Sequence, residues 1–238
     1  MFVIYAHRGA SEYYPENTMS SFSAGVEMGA NGIETDVQIS KDGVLMIFHD
    51  DTMKAKTGFD GTVADHTYAE LCEARVKNEA YSREDRLVTF EEFLKSFALL
   101  DLTFAIELKV RGIAEPVIRM LKRYGAYEKS VITSFDYEAL VEAREYDSEV
   151  KIGWLYVHRT KETIEKLRAI GATQGCPKAC EIKPEHLREL YANGFECRAW
   201  GISDETVMKA AVDMGVNAGM TVNFPDKLVE YMRAGRSE

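Results

Sequence analysis

Phe2-Val3-Ile4-Tyr5-Ala6-His7-Arg8-Gly9-Ala10-Ser11 is the stretch on which the fold turns. An apolar, β-rich run over 2–6 stops at a histidine and an arginine, and one glycine follows. A doubly wound open sheet wants a glycine-rich G-x-G-x-x-G loop at this place, and His7-Arg8-Gly9-Ala10-Ser11 does not supply it. Runs of the same kind recur at 33–39, 104–108, 131–134, 152–157, 172–175, 196–200 and 218–222. Helical patterns separate them, at 18–28, 90–99, 113–123, 137–145, 161–170, 184–192 and 204–214, with a last one at 224–233. Asp136, Thr160 and Ser203 are predicted helix caps, and Gly29, Gly125, Asn193-Gly194 and Gly215 predicted left-handed stops. Strands alternating with helices at a length of 238 residues predict an α/β fold, a (β/α)8 TIM barrel over 1–238 as one domain.

Two segments depart from the repeat. A strand over 44–48 follows 33–39 too closely for a crossover helix, and Asp42-Gly43 is a hairpin signal. With Asp42 and Gly43 at the turn centre, Lys41 pairs with Val44 and His49 is expected opposite Asp36. Residues 51–88 form the one long polar, charged stretch, with a helical pattern near 68–75, and are expected as an insertion over the barrel mouth.

A formal net charge of -10 argues against non-specific nucleic-acid binding, which needs a basic footprint. It does not argue against a small anionic substrate, since a metal and a few basic residues reverse the potential inside a cleft. No apolar run approaches the roughly 20 residues of a membrane span. Residues 1–6 are short and uncharged, so the start reads as a strand of the mature fold, not a signal peptide. Cys72, Cys176, Cys180 and Cys197 lack C-x-x-C spacing and disulfide density. Reduced thiols and a cytoplasmic location are therefore expected.

Side chains alternate along a strand, so Glu34 and Asp36 share the face opposite Ile33, Thr35 and Val37. In the next barrel strand Phe104, Ile106 and Leu108 face outward, while Glu107 and Lys109 face inward. Three carboxylates thus converge from neighbouring strands. Such like charges need a positive centre between them, and a hard divalent cation, Ca²⁺ or Mg²⁺, suits oxygen ligands. For one acidic pair an ion network would be the better reading; for three inward carboxylates at strand ends the metal is. His7 and His49 supply two imidazoles for the base and the acid that phosphodiester cleavage needs. Arg8 offers a planar fork to phosphate oxygens and Lys109 a point charge. His66 and His186 read as surface residues; His158 follows the fifth strand and could reach the mouth, but nothing pairs with it in sequence. Trp200 and Phe135 end strands near the mouth, where an aromatic ring packs either on a loop or on a substrate's carbon skeleton.

These residues resemble the glycerophosphodiester phosphodiesterase family. Its pattern stands here as His7-Arg8-Gly9, Pro15-Glu16-Asn17-Thr18, Gly29-Ala30-Asn31-Gly32-Ile33-Glu34-Thr35-Asp36-Val37, Lys41-Asp42-Gly43 and His49-Asp50. Ile106-Glu107-Leu108-Lys109 is similar to its E-L-K strand, and Thr133-Ser134-Phe135-Asp136 to its S-F-D. The resemblance implies metal-dependent hydrolysis of a small-molecule glycerophosphodiester to glycerol 3-phosphate and an alcohol. It also implies His7 and His49 as acid and base, with Glu34, Asp36 and Glu107 as metal ligands. Arg8 and Lys109 would contact phosphate, with Glu16 orienting Arg8. Two segments depart from the family. Trp200-Gly201-Ile202-Ser203 stands for W-T-V-N, and Thr221-Val222-Asn223-Phe224-Pro225 for T-D-x-P; both are expected to bear on the head group, not the chemistry.

Two other readings remain. A lysophospholipase D-type lipid phosphodiesterase would want an apolar rim, which the charged 51–88 stretch does not advertise. A catalytically silent barrel binding a phosphorylated ligand would be expected to show gaps among His7, His49, Glu34, Asp36 and Glu107. Head group, the choice of ion, the order of the histidines, a cyclic phosphate intermediate and oligomeric state stay open.

Overall fold

The computed structural model describes residues 2–235. The apolar runs form strands β1 (Val3–His7), β2 (Gly32–Ile39), β3 (Thr103–Leu108) and β4 (Ser130–Ser134), then β5 (Ile152–Tyr156), β6 (Gln174–Pro177), β7 (Glu196–Ala199) and β8 (Gly219–Val222). Each pairs in parallel with its sequence neighbours, and β1 pairs with both β2 and β8, so the sheet closes. Helices α1 (Met19–Glu27), α2 (Phe90–Phe97), α3 (Ala114–Arg123) and α4 (Tyr137–Tyr146) follow the first four strands. Helices α5 (Thr163–Ala169), α6 (Pro184–Ala192), α7 (Glu205–Asp213) and α8 (Pro225–Ala234) follow the others. The expected (β/α)8 barrel is the observed fold. Among the described residues no helix is long and apolar enough to cross a membrane.

Strand alternation drives the layering. Ile33, Val37, Phe104, Ile106 and Leu108 point outward and pack with Phe22 of α1 and Phe93 and Phe97 of α2. Phe93 meets Phe22 and Phe104 edge-to-face, with centroids 5.0 and 5.5 Å apart. Burial of each such side chain contributes about 1.5–3 kcal/mol. Ile4, Cys197, Met220 and Val222 do the same against Leu187, Leu190, Met208 and Leu228 on the far side. Inside, Val3, Tyr5 and Ala105 fill one end, and polar groups occupy the other.

The seam between β1 and β8 is tight. Val3 pairs with Gly219, whose φ is +125°, and a Cβ built there would lie 2.0 Å from the Val3 carbonyl oxygen. Gly219→Ala is therefore expected to destabilise the barrel by about 3 kcal/mol, through overpacking and backbone strain. Denaturant unfolding followed by circular dichroism measures this; a midpoint equal to that of the parent would refute it.

Several local expectations are corrected. The sixth strand runs over Gln174–Pro177 instead of 172–175, because its register with Gly153–Tyr156 carries it through Cys176 to a terminal proline, where a missing N–H costs little. Asp204, not Ser203, caps α7: its carboxylate accepts from Thr206 N and Val207 N, and a carboxylate outcompetes the neighbouring hydroxyl. Thr160 does not cap α5; its own N–H donates to Thr163 Oγ1.

The hairpin register also differs. Val37 pairs with Ile47 and Ile39 with Leu45, leaving Lys41-Asp42-Gly43 as a three-residue turn with Gly43 at φ +85°. Ser40 decides this: its hydroxyl accepts from Val44 N at 2.9 Å and donates to Asp42 at 2.7 Å, bracketing the longer turn. Phe48, not His49, lies opposite Asp36, with Phe48 N donating to Asp36 O at 3.1 Å. The following insertion is more ordered than its polarity suggests. It holds short helices at Lys54–Thr57 and Tyr68–Leu71 and an antiparallel pair, Arg75–Asn78 with Arg83–Arg86. Met46, Phe48, Met53, Val63, Leu71, Val76 and Leu87 give it a core of its own.

Candidate active site

Parallel register, not chance proximity, assembles the site. β1 and β2 place His7 beside Glu34, and β2 and β3 place Asp36 beside Glu107. Pleating turns Glu34, Asp36 and Glu107 into the barrel, where all three are buried. Each offers an oxygen within 4.8 Å of the others'. Burial pushes the Glu34 carboxyl well above the usual carboxylate range, reinforced by Asp36 and Glu107. Burial and Asp36 also push Glu107 up, against the pull of Lys109. For Asp36 burial acts upward too, but Arg8, His49 and Lys109 outweigh it and the carboxyl ends below its ordinary value. Asp36 Oδ1 is buried without a hydrogen-bond partner, and Lys109 Nζ stays 3.8 Å away. A cradle of hard oxygen donors with one left unsatisfied fits a divalent cation such as Ca²⁺ or Mg²⁺.

The His-Arg-Gly and Pro-Glu-Asn-Thr segments fasten to each other. Arg8 takes a left-handed conformation, φ 57°, and its N–H donates to Glu34 O at 2.9 Å. Gly9 follows at φ +86° against the start of α1, where a Cβ would lie 2.3 Å from Ser21. Arg8 Nη1 then donates to Glu16 Oε1 at 3.0 Å, while Nε lies 3.3 Å from Asp36 Oδ2. Burial opposes the guanidinium charge, but Asp36, Glu16, Glu34 and Glu107 overcome it. Asn17 has no role in the sequence reading, yet its Nδ2 donates to Asp36 Oδ2 at 2.9 Å and its Oδ1 accepts from Thr35. Thr18 caps α1. Lys109 Nζ donates to Glu107 Oε1 at 2.8 Å.

The two histidines are held differently. His7 Nδ1 and Asn223 Oδ1 are 2.5 Å apart, and Nε2 lies 3.8 Å from Glu34 Oε2. If the amide oxygen accepts, as placed, the Nδ1–H tautomer leaves Nε2 free to take a proton. Burial, then the Arg8 charge, push the His7 imidazole down to about 3. His49 sits just past its strand, with Nδ1 2.7 Å from Asp50 Oδ1. Gln38 fixes that turn by donating to the carbonyls of Phe48 and Asp50, both at 3.0 Å. The segment containing Asn223 therefore touches His7 itself, which corrects the expectation that it bears only on the head group.

Phe135 and Trp200 meet edge-to-face at 4.8 Å over the mouth. Trp200 Nε1 donates to Cys176 O at 3.0 Å, and Phe135 is 42% exposed, too open for core packing. With Leu155, Arg198 and Thr221 they border a cavity of about 150 Å³ that also reaches His7, Arg8, Glu34, His49 and Glu107. Arg198 is buried beneath it and donates to Thr221 Oγ1 at 2.8 Å, a countercharge for Glu34 that the sequence reading left without a role. A larger hollow of about 550 Å³ runs along α3, lined by Glu115, Pro116, Arg119, Met120, Lys122 and Arg123, and lacks this constellation. His158 pairs with Glu181 and is exposed, and His66 bonds to the Asp60 carbonyl, both away from the carboxylates.

Residues 7–227 match the model of the glycerophosphoryl diester phosphodiesterase family. The chain is 31% identical to the glycerophosphodiester phosphodiesterase of Caldanaerobacter subterraneus subsp. tengcongensis, over 98% of each protein. It is 29% identical to that of Bacillus altitudinis, over 95% of this chain and 96% of that one. Among solved structures it is similar to a phosphodiesterase of Oleispira antarctica in complex with the product sn-glycerol-3-phosphate. The TM-score there is 0.87, with 25% identity over 96% of each chain. A glycerophosphodiester phosphodiesterase from Agrobacterium tumefaciens shares the fold, with a TM-score of 0.84 and 20% identity over 97% of this chain and 100% of that one.

Proposed function

Since the chain belongs to the glycerophosphoryl diester phosphodiesterase family, we propose that its barrel mouth cleaves a small glycerophosphodiester into glycerol 3-phosphate and an alcohol. Glu34, Asp36 and Glu107 would hold one divalent cation, Ca²⁺ or Mg²⁺. When bound, that cation supplies Lewis acidity to the phosphate oxygens. The observation that carries the reading is the convergence of Glu34, Asp36 and Glu107 inside the barrel, with His7 paired beside Glu34 and Asp36 Oδ1 unsatisfied.

Arg8 and Lys109 bind non-bridging oxygens, and Glu16 steadies the Arg8 fork from behind. His7 is the general base, because Asn223 holds its Nδ1 and leaves Nε2 open beside the carboxylates. His49 is the general acid, with the Asp50 carboxylate on Nδ1 as countercharge when the ring carries a second proton. Phe135 and Trp200 line the substrate's carbon skeleton at the mouth.

A lipid-directed activity fits less well, because the mouth is bordered on the insertion side by Glu16, Asp50 and Lys56. The test assays a panel of water-soluble glycerophosphodiesters for glycerol 3-phosphate, and a panel of lysophospholipids for lysophosphatidic acid and free head group, each with Ca²⁺ and with Mg²⁺. Glycerol 3-phosphate from the water-soluble diesters, with no lysophosphatidic acid from the lysophospholipids, is expected. Lysophosphatidic acid from the lysophospholipids, with no glycerol 3-phosphate from the soluble diesters, would overturn the assignment in favour of a lysophospholipase D.

A further inference from the structure

The insertion sends one charged side chain toward the site from a firm base. Its short helix, Lys54–Thr57, begins beside Met53, which is buried in the insertion's own core and whose N–H donates to Gly61 O at 2.9 Å. Thr57 closes the turn by donating its hydroxyl to Met53 O at 2.9 Å. From this helix Lys56 reaches the first barrel loop, and its Nζ donates to Glu16 Oε2 at 2.9 Å. The other oxygen of that carboxylate, Oε1, accepts from Arg8 Nη1 at 3.0 Å. Lys56, Glu16 and Arg8 form one row of alternating charge, running from the insertion to the phosphate-binding guanidinium.

The loop that carries Glu16 is gripped at two more places. Asn78 donates to Tyr14 O at 3.2 Å, and Arg83 Nη1 donates to Tyr13 O at 2.9 Å. The Arg83 guanidinium also lies over the Tyr14 ring, 4.0 Å from its centroid. These contacts fix the loop's backbone, while Lys56 acts on the side chain that holds Arg8.

That side chain has a competitor. Arg8 Nε lies 3.3 Å from Asp36 Oδ2, and Glu34 and Glu107 add to the pull into the barrel. A guanidinium drawn wholly onto these groups would pair with metal ligands instead of substrate. Glu16 opposes the pull. A carboxylate held at one oxygen still turns about its terminal bond, whose torsional well is broad. One held at both oxygens is fixed, and Lys56 supplies the second hold. The Lys56 side chain is 35% exposed and that of Glu16 only 16%, so water and salt screen this pair less than a surface one.

Building on the hydrolase reading above, we propose that Lys56 is a positioning residue: acting through Glu16, it keeps the Arg8 guanidinium clear of the buried carboxylates and ready for the substrate's phosphate. The insertion then takes part in substrate capture without touching the substrate.

The test is a double-mutant cycle on Lys56→Met and Glu16→Gln, reading kcat, KM and the inhibition constant of inorganic phosphate. Glycerophosphocholine, glycerophosphoethanolamine and glycerophosphoglycerol serve as substrates. Lys56→Met is expected to raise KM and the phosphate inhibition constant together, by about 10-fold, with kcat within about 2-fold of the parent, and Lys56→Arg to recover most of the loss. In the Glu16→Gln background Lys56→Met is expected to add nothing, since a neutral amide gives the ammonium no charge to hold. Lys56→Gln repeats the measurement with a polar tip, and circular dichroism checks that each variant folds. Constants unmoved by Lys56→Met and Lys56→Gln, a loss confined to kcat, or an equal loss with and without Glu16 overturns the positioning role and leaves the hydrolase reading intact. Glycerol 3-phosphate released by the parent from none of the three diesters overturns the hydrolase reading and the positioning role with it.

Discussion

Chelating divalent cations is expected to abolish glycerophosphodiester turnover, by at least about 10³-fold, and Ca²⁺ or Mg²⁺ is expected to restore it. The three inward carboxylates are an unfavourable arrangement on their own. Arg8 and Lys109 offset part of the repulsion, but Asp36 Oδ1 stays unsatisfied. A cation in the cradle relieves this, so the ion should also raise the melting temperature in the absence of substrate. At a hundred times its Kd a ligand contributes about 2.7 kcal/mol to stability. Glu34 and Glu107 are pushed up by burial and by Asp36, so protons compete with the ion for their oxygens. Affinity therefore weakens as pH falls, and calorimetry in buffers of different ionisation enthalpy should record proton release. Full turnover in chelator, with no melting shift on ion addition, would sink the metal assignment.

His7→Ala and His49→Ala are each expected to lower kcat by at least about 10²-fold, with little change in KM. The two losses should respond differently to the leaving group. An alkoxide needs a proton from the acid as it departs, whereas p-nitrophenolate does not. Changing the diester to a p-nitrophenyl ester should therefore recover most of the rate in His49→Ala and little in His7→Ala. The reverse pattern would exchange the two roles, and near-normal turnover of natural diesters in either variant would remove that histidine from the chemistry. Asn223 is a positioning residue in this scheme. Asn223→Leu should lower kcat more than it raises KM, because the His7 ring loses the partner that orients it.

Alternation makes much of this molecule legible in one dimension. Ile33, Val37 and Phe104 outside, with Glu34, Asp36 and Glu107 inside, follow from a period of two, and the barrel follows from the repetition of strand and helix. What escapes is decided by contacts the pattern does not encode. Hairpin register turns on a Ser40 hydroxyl and the left-handed Gly43, so His49 falls one place from where a two-residue turn would put it. Asn17 and Gln38 look like ordinary polar residues until the fold shows the carboxylate and the carbonyls they bind. The small core of the insertion is hidden because its apolar residues are spread thinly through a charged stretch.

The contact between His7 and Asn223 joins residues 216 positions apart, across the seam where Val3 meets Gly219. A ribosome emits the first of these long before the second, so the orienting partner arrives only after all eight strands have been made. Any intermediate lacking the closing strand would hold the carboxylates and both imidazoles yet leave His7 free to turn. Enzymatic competence thus becomes a late milestone of maturation, and its recovery during refolding reports ring closure more faithfully than the return of helical ellipticity.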